Sequence, residues 1–145
     1  MARIGQDPRW VDAILDWRWT WLAARIGLTG PYLLGGLVKL SDFSAAVAEQ
    51  ETFGLRPGWL WASLAIVIEL LGPALVISGR FVWLGAGALG VLTAIATLAA
   101  NDFWTMQGHE RFVAMNAFFE HIGLIAGLVM AALIAVHAKR GKWAR

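Results

Sequence analysis

The stretch "WLWASLAIVIELLGPALVISG", residues 59–79, decides the class of fold. Apart from two serines, Glu69 is its only polar side chain. A helix that crosses a bilayer needs about 20 predominantly apolar residues. In lipid, backbone polar groups must find their partners within the segment, which a helix achieves. The stretch therefore predicts a transmembrane helix with a carboxylate near its middle.

Three further apolar runs, residues 21–40, 81–104 and 112–138, have similar lengths. Of the 145 residues, 59% are hydrophobic and 15% are charged, whereas about a quarter of an average soluble protein is charged. We therefore predict an all-α integral membrane four-helix bundle. Ser78-Gly79-Arg80 is nearly all that separates the second and third runs, which indicates a tight hairpin. Longer loops are predicted over residues 41–58 and 105–111.

The residues before the first run, "DPRWVDAILDWRWTW" at 7–21, begin with Asp7-Pro8, a helix-start signal. Tryptophans at helical spacing predict either a short helix lying in the membrane interface or an extension of the first span. No cleavable signal peptide is expected. The predicted organisation is an N-terminal interfacial segment (1–20), a four-helix domain (21–138) and a basic cytoplasmic tail (139–145).

Lys and Arg residues predict the orientation of the chain in the membrane. Nine of the twelve fall on one side of this topology, and the other three are Lys39, Arg56 and Arg111. Because cytoplasmic segments carry the excess of these residues, both termini are predicted in the cytoplasm of a bacterial inner membrane. A net charge of +2 gives no indication of nucleic acid binding. The lack of cysteine excludes disulfides, thiolate metal sites and iron–sulfur clusters within this chain.

Polar residues in the apolar runs point to a candidate site. Glu69, Glu120 and His121 are predicted at similar membrane depth, and Asn116 precedes Glu120 by one helical turn on the same face. Two glycines further along that face indicate that it points into protein. Since a carboxylate facing lipid is costly, we predict an intramembrane polar cluster of Glu69, Asn116, Glu120 and His121.

A second set of polar residues lies at the predicted outer ends of the helices. It can form an outward-facing polar rim or consist of solvated loop charges, and no metal site is expected. Arg25 either reaches the headgroups at the inner end of the first helix or forms a buried ion pair. The candidate rim comprises Lys39, Asp42, Asn101, Asp102 and Arg111.

Four motifs, "GLVKL", "ELLGPALVISGR", "ATLAANDFW" and "NAFFEHIGLIAGL", resemble in order those of the DoxX family of small four-helix bacterial membrane proteins. The resemblance runs from about residue 22 to 135. The family is named for a subunit associated with thiosulfate:quinone oxidoreductase, and other members are linked to membrane oxidoreductase assemblies. The resemblance implies that Arg25, Lys39, Glu69, Asn101 and Phe103-Trp104 occupy family motif positions.

Three classes of function remain open. The first, which the resemblance implies, is a subunit of a membrane oxidoreductase or respiratory electron-transfer complex that contributes to a site for a non-covalently bound quinone. The second is a purely structural or assembly subunit. The third is a small transporter or lipid-binding membrane protein. All three classes predict contact with the lipid bilayer. The first two also predict contact with other membrane protein subunits. Nucleic acid is not expected as a partner in any of them. No complete catalytic constellation is visible, so catalysis by this chain alone is not expected.

Overall fold

The computed structural model describes the backbone of residues 8–143 and the side chains of residues 8–138. Over this range the chain forms helices and no strands. Six helices follow one another: α1 (Arg9–Leu15), α2 (Arg18–Ser41), α3 (Phe43–Thr52), α4 (Gly58–Ser78), α5 (Val82–Ala100) and α6 (Gly108–Trp143).

Three of these helices, α4, α5 and α6, are long and apolar enough to cross a membrane. They coincide with three of the four predicted runs, which confirms an all-helical membrane protein. The remaining run lies in α2, which has 24 residues and carries Arg25 and Lys39. These charges lower its apolar character, so length alone makes α2 a candidate span.

The helix α3 was not predicted, because residues 41–58 were interpreted as a loop. Asp42 begins it as N-cap, since its carboxylate accepts a hydrogen bond from the Ala45 N–H at 3.0 Å. Ala46 of α3 is buried. A Cβ on Gly58 would lie 2.7 Å from the Val47 carbonyl oxygen, so α3 packs closely on the first turn of α4. The structure thus has two short helices besides the four long ones.

The N-terminal segment forms a helix that is separate from α2. The helix α1 ends at Leu15, α2 begins at Arg18, and no residue of α1 is buried. A continuous extension of the first span is therefore wrong, while the position of α1 in an interface stays a prediction. Residues 1–7, in the predicted N-terminal segment, lie outside the described residues. In the predicted basic tail, α6 continues through residue 143, and the side chains beyond residue 138 are outside the described part.

The four long helices alternate in direction, with α4 and α5 at the centre of the arrangement. The helix α2 packs against α4, and α6 packs against α5, whereas α2 and α6 touch each other only slightly. Between the helices lies a core to which α2, α4, α5 and α6 all contribute. Its buried members are Tyr32, Val76, Val82, Ala86, Leu89 and Leu128.

The turn between α4 and α5 is the tight hairpin that the sequence predicts. Gly79 ends α4 with a φ of 72°, a left-handed conformation that suits glycine at a helix C-terminus. Beyond the turn, a Cβ on Gly85 would lie 2.6 Å from the Gly72 carbonyl oxygen. The absence of a side chain at Gly85 therefore allows the two backbones to approach closely.

Candidate functional site

Glu69 forms an ion pair with Lys39. The Lys39 Nζ donates to both carboxylate oxygens of Glu69, at 2.9 and 3.0 Å. The Lys39 side chain is only 20% exposed and the Glu69 side chain only 12%. The sequence predicts Lys39 in the outer rim and Glu69 in a cluster with residues of α6. Instead, the structure joins the two residues across the α2–α4 interface.

The pairing follows from an offset between the ends of α2 and α4. A Cβ on Gly36 would touch Glu69 and Leu70, so these residues lie at one level. From that level α4 extends for about 16 Å back to its first residue, Gly58, but α2 extends for only about 8 Å to its last residue, Ser41. The helix α3 packs beside this N-terminal part of α4. A residue deep within α4 is therefore within reach of a lysine near the end of α2.

Tyr32 and Thr93 form a second polar contact, between α2 and α5. Their hydroxyl oxygens are 2.5 Å apart, and both residues are buried. The Thr93 hydroxyl also lies 2.7 Å from the Leu89 carbonyl oxygen, to which it donates. Because a hydroxyl has one proton to donate, Thr93 then accepts the hydrogen bond from Tyr32.

His121 forms a third contact, between α6 and α5. Its Nδ1 lies 2.7 Å from the Thr97 hydroxyl and 3.4 Å from the Asn101 amide nitrogen. The Thr97 hydroxyl donates to the Thr93 carbonyl at 2.7 Å. Its oxygen is then the acceptor for a protonated Nδ1, an assignment that follows from the hydrogen-bond network. In the neutral ring this leaves Nε2 as a hydrogen-bond acceptor for a ligand. The Asn101 amide nitrogen is itself a donor, so it lies near this Nδ1 without a hydrogen bond to it.

Two threonines of α5, Thr93 and Thr97, are site residues outside the sets predicted from the sequence. Thr93, Thr97 and Asn101 recur every four residues, so they form a polar stripe along one face of α5. This spacing in an otherwise apolar helix was the signal that could have identified them. Both threonines are buried and hydrogen-bonded, as polar groups inside a helical membrane protein are expected to be.

These contacts surround a cavity of about 270 Å³ between all four long helices. Polar groups enter it from each helix, and apolar and glycine residues form the rest of its wall. Glu69 and His121, two members of the predicted cluster, thus line one cavity without a direct contact between them. The lining is Pro31, Tyr32, Gly35, Lys39, Glu69, Leu92, Thr93, Ala96, His121 and Leu124.

The other two members of the predicted cluster, Asn116 and Glu120, have exposed side chains on α6. The prediction that their face points into the protein interior does not match their exposure. A Cβ on Gly123 would meet nothing within 4 Å, whereas one on Gly127 would lie 3.1 Å from Leu28 of α2. The face therefore meets protein only near Gly127, further along the helix.

The structure disperses the predicted outer rim. Asp42 caps α3, and the N–H of Ala45 and the hydroxyl of Ser44 hold the pKa of its carboxyl below the usual value. Asp102 accepts a hydrogen bond from Thr105 at 2.8 Å in the α5–α6 loop. Lys39 contacts Glu69, and Asn101 lies beside His121. Arg111 is exposed in the first turn of α6, away from these contacts.

Arg25 lies beside the α4–α5 turn. A Cβ on Gly79 would be 2.8 Å from its Nη1, and its guanidinium carbon lies 6.0 Å from the Trp21 ring centroid. A buried ion pair of Arg25, one of the two predictions for this residue, is not found among the described side chains, where Lys39 and Glu69 form the salt bridge. A cation at the C-terminal end of α4 is favourable for the helix dipole.

The described side chains contain no group of three or more His, Cys, Asp or Glu residues that could hold a metal ion. A larger cavity of about 590 Å³ lies between α5 and α6 and is lined almost wholly by apolar side chains. The polar cavity between the four long helices therefore offers directed hydrogen bonds to a ligand that this apolar cavity does not.

Long apolar helices around a polar cavity define a multi-pass membrane protein in contact with the lipid bilayer. The DoxX family model matches residues 20–102, more than half of the chain. The chain therefore belongs to the DoxX family. The match contains α3, α4, α5 and nearly all of α2, and ends before α6. No curated protein and no solved structure matches the chain.

Proposed function

We propose that this DoxX-family protein is an accessory subunit of a quinone-linked membrane oxidoreductase and holds a quinone headgroup in the polar cavity. In this proposal α2, α4, α5 and α6 all cross a bacterial inner membrane, with both termini in the cytoplasm. The observation that carries it is the convergence of Tyr32, Lys39, Glu69 and His121 on one cavity inside apolar helices.

The cavity has the size and polarity that a quinone ring requires. Pockets for drug-sized ligands span about 300–1,000 Å³, so 270 Å³ suits a single ring. The two carbonyl oxygens of a quinone accept hydrogen bonds. Lys39 at one side is a donor, while Tyr32 becomes one if it turns from Thr93. After reduction, the two hydroxyls of the quinol donate, and His121 Nε2 and the Glu69 carboxylate can accept.

Reduction of a quinone to a quinol consumes two electrons and two protons. The electrons would come from a redox-active partner subunit, because this chain supplies no cysteine for thiol or iron–sulfur chemistry. The contribution of this chain would be to hold the ring and exchange protons. Carboxyl and imidazole groups are the usual side chains for that task, which Glu69 and His121 supply here.

A structural role in assembly is the second candidate, and the Lys39–Glu69 pair favours it. The pair joins α2 to α4, and an intramembrane ion pair that only fixes helix packing needs no ligand. In that case a purified complex retains its composition and activity after Glu69→Gln, which preserves shape and hydrogen-bonding capacity. Under the quinone proposal this variant still assembles, but quinone turnover by the complex falls.

The direct test is photolabelling of the protein in lipid nanodiscs with a short-tailed azidoquinone, followed by mass spectrometry of the peptides. Under the proposal, labels map to cavity-lining segments, and excess decylubiquinone suppresses them. His121→Leu and Tyr32→Phe should each reduce labelling. As a matched control, Ala94→Leu alters the wall of the apolar α5–α6 cavity and should leave the labelling unchanged.

Labelling that decylubiquinone does not suppress, or that maps evenly over lipid-facing segments, would exclude the quinone site. Purification from native membranes in mild detergent tests the partnership separately. We expect larger redox subunits to co-purify. Quinone reduction by the isolated chain with a simple donor would show that no such partner is needed.

A further inference from the structure

The cavity between the long helices has one weakly closed side, between α2 and α6. These helices touch near Leu28 and Gly127, where a Cβ on the glycine would lie 3.1 Å from the leucine side chain. Elsewhere they make little contact, whereas α4 packs closely on both α2 and α5. The wall between α2 and α6 is therefore the thinnest side of the cavity.

The gap widens outward from that contact. Glu120 precedes Gly127 by two helical turns on the same face of α6, and Gly35 follows Leu28 by two turns on α2. Because the helices run in opposite directions, Glu120 and Gly35 come to the same level. Glu120 is nevertheless exposed, and Gly123 has open space where its side chain would be. No side chain of α2 covers this part of α6.

The gap lies at the level of the cavity. Pro31 and Gly35 on one side, and His121 and Leu124 on the other, line the cavity at this height. Glu120 is the chain neighbour of His121 and lies about 12 Å along α6 from Phe112, where the apolar run begins. That distance is well inside a hydrocarbon core about 30 Å thick. An opening at this depth faces lipid rather than water.

We propose that the gap bounded by Pro31, Val38, Asn116, Glu120 and Gly123 is a lateral portal. Through it, a ligand with a polar ring and an alkyl or isoprenoid tail passes between the bilayer and the cavity. The inference rests on the proposed quinone function and adds the route and the tail. A cavity of 270 Å³ holds the ring alone, so the tail extends through the portal into the lipid.

The portal also accounts for two polar side chains that are exposed within a membrane-spanning helix. A charged group at mid-membrane depth normally faces protein or a water-filled cavity. Asn116 and Glu120 border an opening into a polar cavity, where the ring of an entering ligand meets them before it reaches His121. The apolar α5–α6 cavity has no comparable pair along its length.

Cross-linking across the portal tests this route, and the cysteine-free chain provides a clean background. In the Val38→Cys/Asn116→Cys variant, bismaleimides of increasing length bridge α2 and α6. The matched control is Val91→Cys/Val129→Cys, whose positions border the apolar α5–α6 cavity and are likewise exposed. The probe is the short-tailed azidoquinone in nanodiscs, with labelling yield followed against mixing time before illumination.

We expect bridging of the portal to slow the labelling of cavity peptides at least tenfold and bridging of the control to leave it unchanged. A second pair of variants, Gly123→Phe and Gly90→Phe, needs no cross-linker. Neither site has an atom within 4 Å of an added Cβ, so both should fold. The phenylalanine at 123 should slow labelling, and the one at 90 should not.

Labelling at the parent rate in both the bridged and the Gly123→Phe proteins overturns the portal but leaves the quinone site standing. Covalent dimers formed by the Val38→Cys/Asn116→Cys protein also overturn it, because a second copy would then cover the gap. If the parent protein itself shows no labelling that decylubiquinone suppresses, the proposed function fails and the portal with it.

Discussion

Loss of one member of the Lys39–Glu69 pair should destabilise the protein more than loss of both. The Lys39 Nζ lies 2.9 and 3.0 Å from the two carboxylate oxygens, and the side chains are 20% and 12% exposed. Replacing either residue leaves a charge that the surroundings cannot hydrate. The changes are Lys39→Met, Glu69→Leu and the two together.

The geometry sets the size of the effect. Two unit charges about 3 Å apart attract by about 5–6 kcal/mol at an effective dielectric constant near 20, although the cost of removing both from water offsets much of this. Removing one partner of a buried pair costs about 3–5 kcal/mol. Because both side chains keep some exposure, we expect about 3 kcal/mol for each single change. The double change should cost less than about 1 kcal/mol, since apolar groups replace both charges.

The measurement is a double-mutant cycle of unfolding free energies in mild detergent. With about 3 kcal/mol for each single change and less than about 1 kcal/mol for the double change, the coupling energy should be about 5 kcal/mol, above the range usual for residues in contact. Glu69→Gln should be intermediate, because its amide oxygen still accepts from Lys39. Arg56→Met at an exposed loop position is the control and should stay within about 0.5 kcal/mol of the parent.

Two results would refute this reasoning. If each single change costs less than about 0.5 kcal/mol, the pair behaves as an exposed surface salt bridge. If the double change costs the sum of the two single changes, the residues act independently, and the contact at 2.9 Å carries no energetic coupling.

Three further predictions concern packing, a helix cap and topology. Gly85→Ala should lower the free energy of unfolding by about 1–3 kcal/mol, because the added Cβ would lie 2.6 Å from a carbonyl oxygen of α4. Gly87→Ala is the control and should leave the stability unchanged, because a Cβ there meets nothing within 4 Å. Unfolding of both variants in detergent measures the difference. The Asp42 carboxylate has a lowered pKa, so it should stabilise α3 at pH values above the ordinary pKa of an aspartate. This stabilisation should be lost as the pH falls through the lower pKa of the folded state. Hydrogen exchange in α3 measures the acid dependence, and Asp42→Asn should remove it. A reporter fused after Arg145 should be active as a cytoplasmic reporter, and an active periplasmic phosphatase there would reverse the topology.

The sequence was sufficient to predict the long helices, because length and hydropathy are properties of single segments. Residues 59–79 coincide with α4 almost completely, and Ser78-Gly79-Arg80 forms the expected tight turn. The similar level of Glu69 and His121 is consistent with their lining one cavity. These predictions needed only the rise per residue of an α-helix.

The partners of these residues could not be predicted in the same way. Depth along a single helix does not predict the partner of Lys39, because the C-terminal end of α2 does not extend as far as the N-terminal end of α4, beside which α3 packs. The inward direction of Asn116 and Glu120 was inferred from glycines on their face. Only Gly127 among these meets α2, since α2 and α6 diverge. Relations between helices depend on offsets and crossing angles that one segment does not encode.

The ion pair between α2 and α4 has a consequence for biogenesis. The helix α2 leaves the ribosome before α4 does, yet it carries Arg25 and Lys39 and is not among the three most apolar helices. The carboxylate that neutralises Lys39 lies 30 residues later in the chain. In the proposed topology, α2 should therefore settle fully into the bilayer only once α4 has emerged from the translocon, so its stable insertion would be a cooperative step between two helices.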